Sequence, residues 1–304
     1  MATARFAAGS GVPLVTPFRN GAIDFDAFAG LVQFQIDAGT DALIICGSTG
    51  ENQALSLDER AELIELATAT AYGRIAVIAA TGCETDAETF TLSERAAHSG
   101  ADGLLVITPR ATAASQDGVT AYLSSVASRT HLPVYVYNYP ARTHVDINAE
   151  TIERLVHAHP NVVGLKQTDD NLRLVTQVRR RLGPGFSIFC GIEQLALPGL
   201  MLGSAGMITA SGNIVPRQVA DLYRAFRGDR FNEARRLHDT LSDIFDAVVY
   251  AESSPAAALK YLLRRAGRIP TNEHRLPSLP PSARDEQRLH AALAAATDAV
   301  TALA

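Results

Sequence analysis

Two kinds of apolar pattern alternate along the first three quarters of the chain. Short runs rich in valine, isoleucine and alanine are separated by longer stretches whose apolar positions recur every three or four residues. The first kind suits a buried strand and the second an amphipathic helix. The runs are VPLVTPF (12–18), ALIICG (42–47), IAVIAATG (75–82), GLLVITP (103–109), PVYVYNYP (133–140), NVVGLKQT (161–168), FSIFCG (186–191) and AGMITASG (205–212). Helical stretches fall near 24–38, 57–72, 85–98, 117–129, 148–158, 171–182, 193–202 and 216–227. In the first of them Phe25, Phe28, Leu31, Val32 and Ile36 keep the helical spacing. Asp24, Asn148 and Asn171 stand where a side-chain oxygen caps the free N–H groups of a helix start, and Ser56 with Glu59 reads as a capping box.

Eight short strands, each followed by a helix, predict an α/β protein built as a closed (β/α)8 TIM barrel. An open doubly wound sheet more often carries a glycine-rich phosphate loop after its first strand. Here the first run ends in Thr16-Pro17-Phe18, with no such loop after it. Beyond about residue 229 the strand pattern stops, and FNEARRLHDTLSDIFDAVVYA, SPAAALKYLLRRAG and the alanine-rich 284–303 read as helices. The expected organisation is a barrel over 1–228 with C-terminal helices over 229–304 docked on it as one structural unit. A proline-rich link, RLPSLPPS (275–282), precedes the last helix.

Composition narrows the function classes. The 304 residues are 47% hydrophobic, with a formal net charge of −5 and a pI near 5.9. No basic stripe with interleaved aromatics is present, so nucleic acid is not an expected partner. Cys46, Cys83 and Cys190 lack metal-ligand or CxxC spacing and read as reduced residues packed in or near apolar runs. The eight histidines are dispersed, and His157 and His159 would diverge on a helix, so no metal site is expected. The N-terminus has no convincing signal peptide and no run approaches membrane-spanning length, which predicts a soluble, cytoplasmic protein.

Lysine usage points to chemistry. Lys166 and Lys260 are the two lysines in the chain, against 25 arginines. Lys166 closes the run Val162-Val163-Gly164-Leu165, at the end of the sixth strand. A desolvated lysine can lose its proton and attack a carbonyl, which arginine cannot do. A solvated strand-end lysine is the plain alternative. Lys260, in AALKYLL, reads as a structural or surface residue of a helix. Catalytic groups of such barrels sit at the C-terminal strand ends. The second strand ends there in Gly47-Ser48-Thr49-Gly50-Glu51, whose hydroxyls and N–H groups suit a small carboxylate or simply form a turn. Tyr137 alternates with Tyr135, so both point into the barrel or its mouth, as core residues or as a site. Arg142 could clamp a carboxylate or lie exposed on its loop.

Taken together, Gly47-Ser48-Thr49-Gly50-Glu51, Tyr137-Asn138-Tyr139-Pro140-Ala141-Arg142-Thr143 and Gly164-Leu165-Lys166 resemble the signatures of the dihydrodipicolinate synthase/N-acetylneuraminate lyase family. The resemblance runs nearly the full length, from Val15-Thr16-Pro17-Phe18 to Arg275-Leu276-Pro277. It implies a class I aldolase or lyase that joins pyruvate to an aldehyde through a Schiff base, without a cofactor. Lys166 would form the Schiff base, Tyr137 would shuttle protons, and Ser48 and Thr49 would bind the pyruvate carboxylate, with Ser48 able to relay a proton. Gly191 and Ile208 would lie beside the imine, and Arg142 would receive the second substrate's carboxylate. The implied substrates are pyruvate and aspartate semialdehyde. The alternative is a 2-keto-3-deoxy sugar acid or 4-hydroxy-2-oxoglutarate aldolase or dehydratase, and outside enzymes a catalytically silent keto-acid sensor. The family's habit implies a homotetramer built as a dimer of dimers, or a homodimer.

Three departures accompany the resemblance. Ala111, in Pro109-Arg110-Ala111-Thr112, stands where synthases have the second of two tyrosines, which completes a proton relay across a dimer interface. Ser48 replaces the more usual threonine. Glu88 matches an acidic residue of the family's lysine-feedback pocket, but Leu57 and Arg60 stand where some members have histidines, and Arg110 replaces the first of the paired tyrosines. Insensitivity to L-lysine is therefore expected.

Overall fold

Parallel strands buried on both faces must satisfy their N–H and C=O groups sideways, and closing the sheet leaves no edge. The computed structural model, which describes residues 4–110 and 114–301, does this with eight strands. They are β1 (Gly9–Pro13), β4 (Ala42–Ile45), β5 (Ala76–Ala80), β6 (Gly103–Ile107), β7 (Val134–Asn138), β8 (Val162–Gln167), β9 (Ser187–Cys190) and β10 (Gly206–Ile208). They follow one another in chain order round the barrel, and β1 closes it by pairing with both β4 and β10. A small antiparallel hairpin, β2 (Phe18–Arg19) and β3 (Ala22–Ile23), stands apart.

Between and after the strands come α1 (Phe25–Ala38), α2 (Leu57–Ala71), α3 (Asp86–His98), α4 (Gln116–Ala127), α5 (Pro140–Thr143), α6 (Ala149–Ala158), α7 (Arg173–Leu182), α8 (Ala196–Met201) and α9 (Pro216–Arg227). Three further helices, α10 (Phe231–Val249), α11 (Pro255–Arg265) and α12 (Ala283–Thr301), pack on one another, and α10 also packs on α9. Asp24, Ser56 and Asn148 cap α1, α2 and α6 as expected, and the Ser56–Glu59 capping box is complete. The proposed cap at Asn171 is not made: α7 starts after Leu172, and Asn171 donates its N–H to Asp169 instead.

Strand ends also differ from the sequence pattern. The first strand spans Gly9–Pro13 rather than 12–18, because Pro13 brings no N–H to the ladder. Beyond it the chain stays extended, with Leu14 N–H donating to the Ile44 carbonyl and Val15 N–H to Asn213 Oδ1. The last run, 205–212, holds only three strand residues before a 3-10 turn over Ala210–Asn213. Within 193–202, a 3-10 turn (Glu193–Leu195) precedes the short α8.

Alternate strand residues feed two cores. Val12, Leu43, Val77, Leu104, Val136 and Leu165 face the helices, while Ile44, Ile78, Leu105, Tyr135, Phe189 and Ile208 fill the barrel interior. Phe6 closes its N-terminal end, stacked on Phe189 and accepting the Tyr135 hydroxyl on its carbonyl. Among the described residues no helix is long and apolar enough to cross a membrane.

Candidate active site

The barrel's C-terminal mouth gathers Lys166, Tyr137, Ser48, Arg142 and Gly191. A register shift in β7–β8 is the local cause for the first pair. Val134 pairs with Val162 but Tyr135 pairs with Gly164, so Val163 is passed over. Gly164 then accepts the Tyr135 ring, where an added Cβ would meet Cδ1 at 2.6 Å. Two residues on, Lys166 stands level with Tyr137, its Nζ 4.5 Å from the ring centroid.

Lys166 is only 6% exposed. Burial lowers its amine to about 8, opposed by Tyr139, Glu193 and Cys190 and reinforced by the Arg142 charge. No carboxylate of the described residues lies within ion-pair distance of it. Tyr137 is buried as well, which raises its phenol. The Thr168 hydroxyl, the Arg142 charge and the Ser48 hydroxyl pull the other way. Tyr139 stacks on Tyr137 at 5.7 Å and carries the Arg142 guanidinium 5.4 Å above its own ring. Arg142 reaches this place because Pro140 starts the one-turn α5 directly after β7.

The Gly47–Glu51 turn follows β4. Gly50 N–H donates to the Gly47 carbonyl and Glu51 N–H to the Ser48 carbonyl. Thr16 Oγ1 donates to the Gly50 carbonyl, so the turn is tied to the segment after β1. Gly50 permits a close approach here: an added Cβ would stand 2.9 Å from the Leu14 carbonyl oxygen. Ser48 and Thr49 remain half-buried, with hydroxyls and N–H groups at the mouth. Gly191 is equally constrained, since a Cβ there would collide with Thr168 Oγ1 and meet Lys166 Cε at 3.0 Å. Ile208 lies in the interior cluster with Tyr135 and Tyr137.

Two polar residues escaped the reading of the sequence. Glu193 is 1% exposed, and its Oε1 accepts the Ser211 N–H at 2.5 Å. Burial raises this carboxyl to about 7, with Ser211 and then Lys166 opposing the rise. Thr168 sits over Gly191 and beside the phenol. Both lie within three residues of a strand's C-terminal end, which was the signal that could have found them. Lys260 is a correction: it is 0% exposed and ion-paired to Glu51, so the surface alternative is excluded. Ala111 lies outside the described residues. Arg110 is ion-paired to Glu84 through Nε at 2.7 Å, and its N–H donates to the same carboxylate. Arg60 is buried, donating to the Ala80 and Gly82 carbonyls and the Cys83 sulfur. Glu88 accepts from Thr85 at the start of α3, and Leu57 opens α2.

A barrel with a buried lysine level with a tyrosine at its mouth can now be set beside known proteins. The model of the dihydrodipicolinate synthetase family matches residues 7–296. This chain belongs to that family. A 4-hydroxy-tetrahydrodipicolinate synthase of Sphingopyxis alaskensis is 39% identical over 288 residues, covering 95% of this chain and 98% of the relative. The crystal structure of dihydrodipicolinate synthase from Aquifex aeolicus is similar with a TM-score of 0.91 and 36% identity, covering 94% of this chain and 97% of that one. A prophage protein of the family from E. coli K12, solved in complex with pyruvate, gives a TM-score of 0.91 at 28% identity. It covers 96% of this chain and 99% of its own. The dihydrodipicolinate synthetase family thus accounts for both the eight-stranded barrel and the C-terminal helices.

Proposed function

We propose that this protein is a Schiff-base lyase that condenses pyruvate with aspartate semialdehyde, as a 4-hydroxy-tetrahydrodipicolinate synthase. The observation that carries this is the Lys166 amine, buried beside Tyr137 and lowered to about 8, with no carboxylate of the described residues within ion-pair distance. A fraction of it is free at neutral pH. Its lone pair attacks C2 of pyruvate, and loss of water from the carbinolamine leaves an iminium. Withdrawal of electrons into the iminium lets C3 lose a proton and become an enamine nucleophile. That carbon then bonds to the aldehyde carbon of the second substrate.

In this reading Ser48 and Thr49 hold the pyruvate carboxylate with hydroxyls and N–H groups, and Gly191 and Ile208 border the imine. Tyr137 passes protons, assisted by the neighbouring Thr168 and Ser48 hydroxyls rather than by a second tyrosine. Arg142 receives the carboxylate of the aldehyde substrate as a bidentate partner. The reaction needs no cofactor, and we propose a cytoplasmic homotetramer or homodimer as its setting. Ala111, lacking the relay hydroxyl, supports a second reading in which the acceptor belongs to a 2-keto-3-deoxy sugar acid or 4-hydroxy-2-oxoglutarate.

Borohydride reduction with pyruvate, followed by peptide mapping, tests the chemistry. The expected product is a reduced pyruvyl adduct on Lys166 alone, absent from Lys166→Met. An unmodified chain, or an adduct on Lys260, would overturn the proposal. Turnover of pyruvate with aspartate semialdehyde, against a panel of keto acids, separates the two readings.

A further inference from the structure

The chain's second lysine is also buried, but in a different setting. Lys260 lies on α11, outside the barrel, and its side chain is fully enclosed. Its Nζ stands 2.6 Å from Glu51 Oε1 and 4.3 Å from the Phe18 ring centroid. Glu51 is the last residue of the Gly47–Glu51 turn, and its φ of 55° puts it in the left-handed region, which a glutamate adopts only when held there. Burial by itself would raise the Glu51 carboxyl. The neighbouring His274 and the Lys260 ion pair outweigh it and hold the group below the usual carboxylate range. His274 Nδ1 is 3.8 Å from Glu51 Oε2. Both polar ends of the arrangement are therefore anchored in the C-terminal region, while Glu51 itself is three residues from Ser48 and two from Thr49.

The choice of residue is informative. This chain writes 25 of its 27 strong cations as arginine. A planar guanidinium is wider and forked, whereas an ammonium is a compact point charge that fits between Glu51 and the Phe18 face. Arg275 already lies over Phe18, its Cζ 4.6 Å from the centroid, and is paired with Glu59. The space left for a second cation is small, and a lysine fills it.

We propose that Lys260 is a positioning residue for substrate: through its ion pair with Glu51 it sets the turn that presents Ser48 and Thr49 to the pyruvate carboxylate. This rests on the reading of that turn given above. It makes α11 part of the binding apparatus rather than a helix docked on the outside. A purely structural pair would affect stability alone, whereas a positioning pair acts on the affinity for a carboxylate-bearing ketone.

The test uses the full chain, with borohydride trapping at Lys166 as the readout, so no second substrate is needed. Lys260→Met combined with Glu51→Gln removes both charges and avoids leaving one of them buried alone. Lys260→Arg keeps the charge and changes its shape. In both, the half-saturating pyruvate concentration for trapping is expected to rise about tenfold, an energy of about 1.4 kcal/mol. The saturated trapping rate should stay within about twofold. Trapping by hydroxyacetone, a ketone without a carboxylate, should change by less than twofold in both. Unchanged half-saturation for pyruvate in a folded variant overturns the proposal, as does an equal loss with hydroxyacetone. If the neutral pair does not fold, Lys260→Arg decides on the same criteria. Failure of the wild-type chain to trap pyruvate at all would instead remove the underlying site reading, and this proposal with it.

Discussion

Lys166 and Lys260 are almost equally buried, yet they stand in opposite relations to charge. Lys166 has an aromatic face at 4.5 Å and no ion-pair partner among the described residues, while Lys260 has an aromatic face at 4.3 Å and a carboxylate at 2.6 Å. Desolvation alone makes a lysine uncomfortable as a cation and available as a nucleophile. Desolvation with a carboxylate at 2.6 Å fixes the amine in place, even though burial lowers this lysine too. On the proposed roles, the difference between a reacting and a holding lysine is one counter-ion.

Deleting each amine should break this symmetry in the thermal melt. Lys260→Met leaves the Glu51 carboxylate buried without its ion-pair partner at 2.6 Å and should cost about 3–5 kcal/mol of stability. A melting temperature within a degree or two of wild type would contradict the pairing. Lys166→Met should move the other way. With its folded value near 8 against an ordinary 10.5, Lys166 binds fewer protons in the folded state than in the unfolded state between those values. Its burden on stability is complete below pH 8 and disappears as pH approaches 10.5. The methionine variant should thus be more stable at pH 7, by on the order of 3 kcal/mol at most. That gain should fade above pH 8, and a loss of stability at neutral pH would show that Lys166 is better paired than the geometry allows.

The rate of pyruvate trapping should report the same contrast with a smaller signal. Only the free amine reacts, so the rate should climb about tenfold per unit below pH 8 and level off above it. Glu193→Gln removes an anion that helps Lys166 keep its proton, so the midpoint should move to lower pH. An unchanged midpoint would place Glu193 outside the electrostatics of the site. The smallest expected effect is that of L-lysine, which should leave turnover unchanged at millimolar concentration. Arg110 is occupied by Glu84, and Arg60 is buried in carbonyl and sulfur contacts, so neither resembles an open amine-binding pocket. Half-inhibition at or below millimolar levels would show otherwise.

Much of the site was legible in the sequence because a barrel sends its strand ends to one face. Ser48, Tyr137, Arg142 and Lys166 could be gathered from their positions after apolar runs, and the motifs around them named the family. Glu193 and Thr168 were legible only in principle: a lone polar residue just past a strand carries no periodicity. Asn171 misled because the cap pattern is local, and a competing bond from its own N–H to Asp169 determined where α7 begins. The first strand ends where Pro13 brings no N–H to the ladder, and the last gives way to a 3-10 turn after three residues.

By itself the sequence determined the alternation of strands and helices, the barrel that buries both faces of those strands, and the family signatures at their ends. These follow from short-range periodicity and from residue types that few other chemistries require. Only the tertiary structure decided which lysine meets which acid. Glu51 and Lys260 are 209 residues apart in the chain, and nothing local to either announces the other. Charge compensation depends on distance through space, so the role of the second lysine became readable only once the C-terminal helices had folded back onto the barrel.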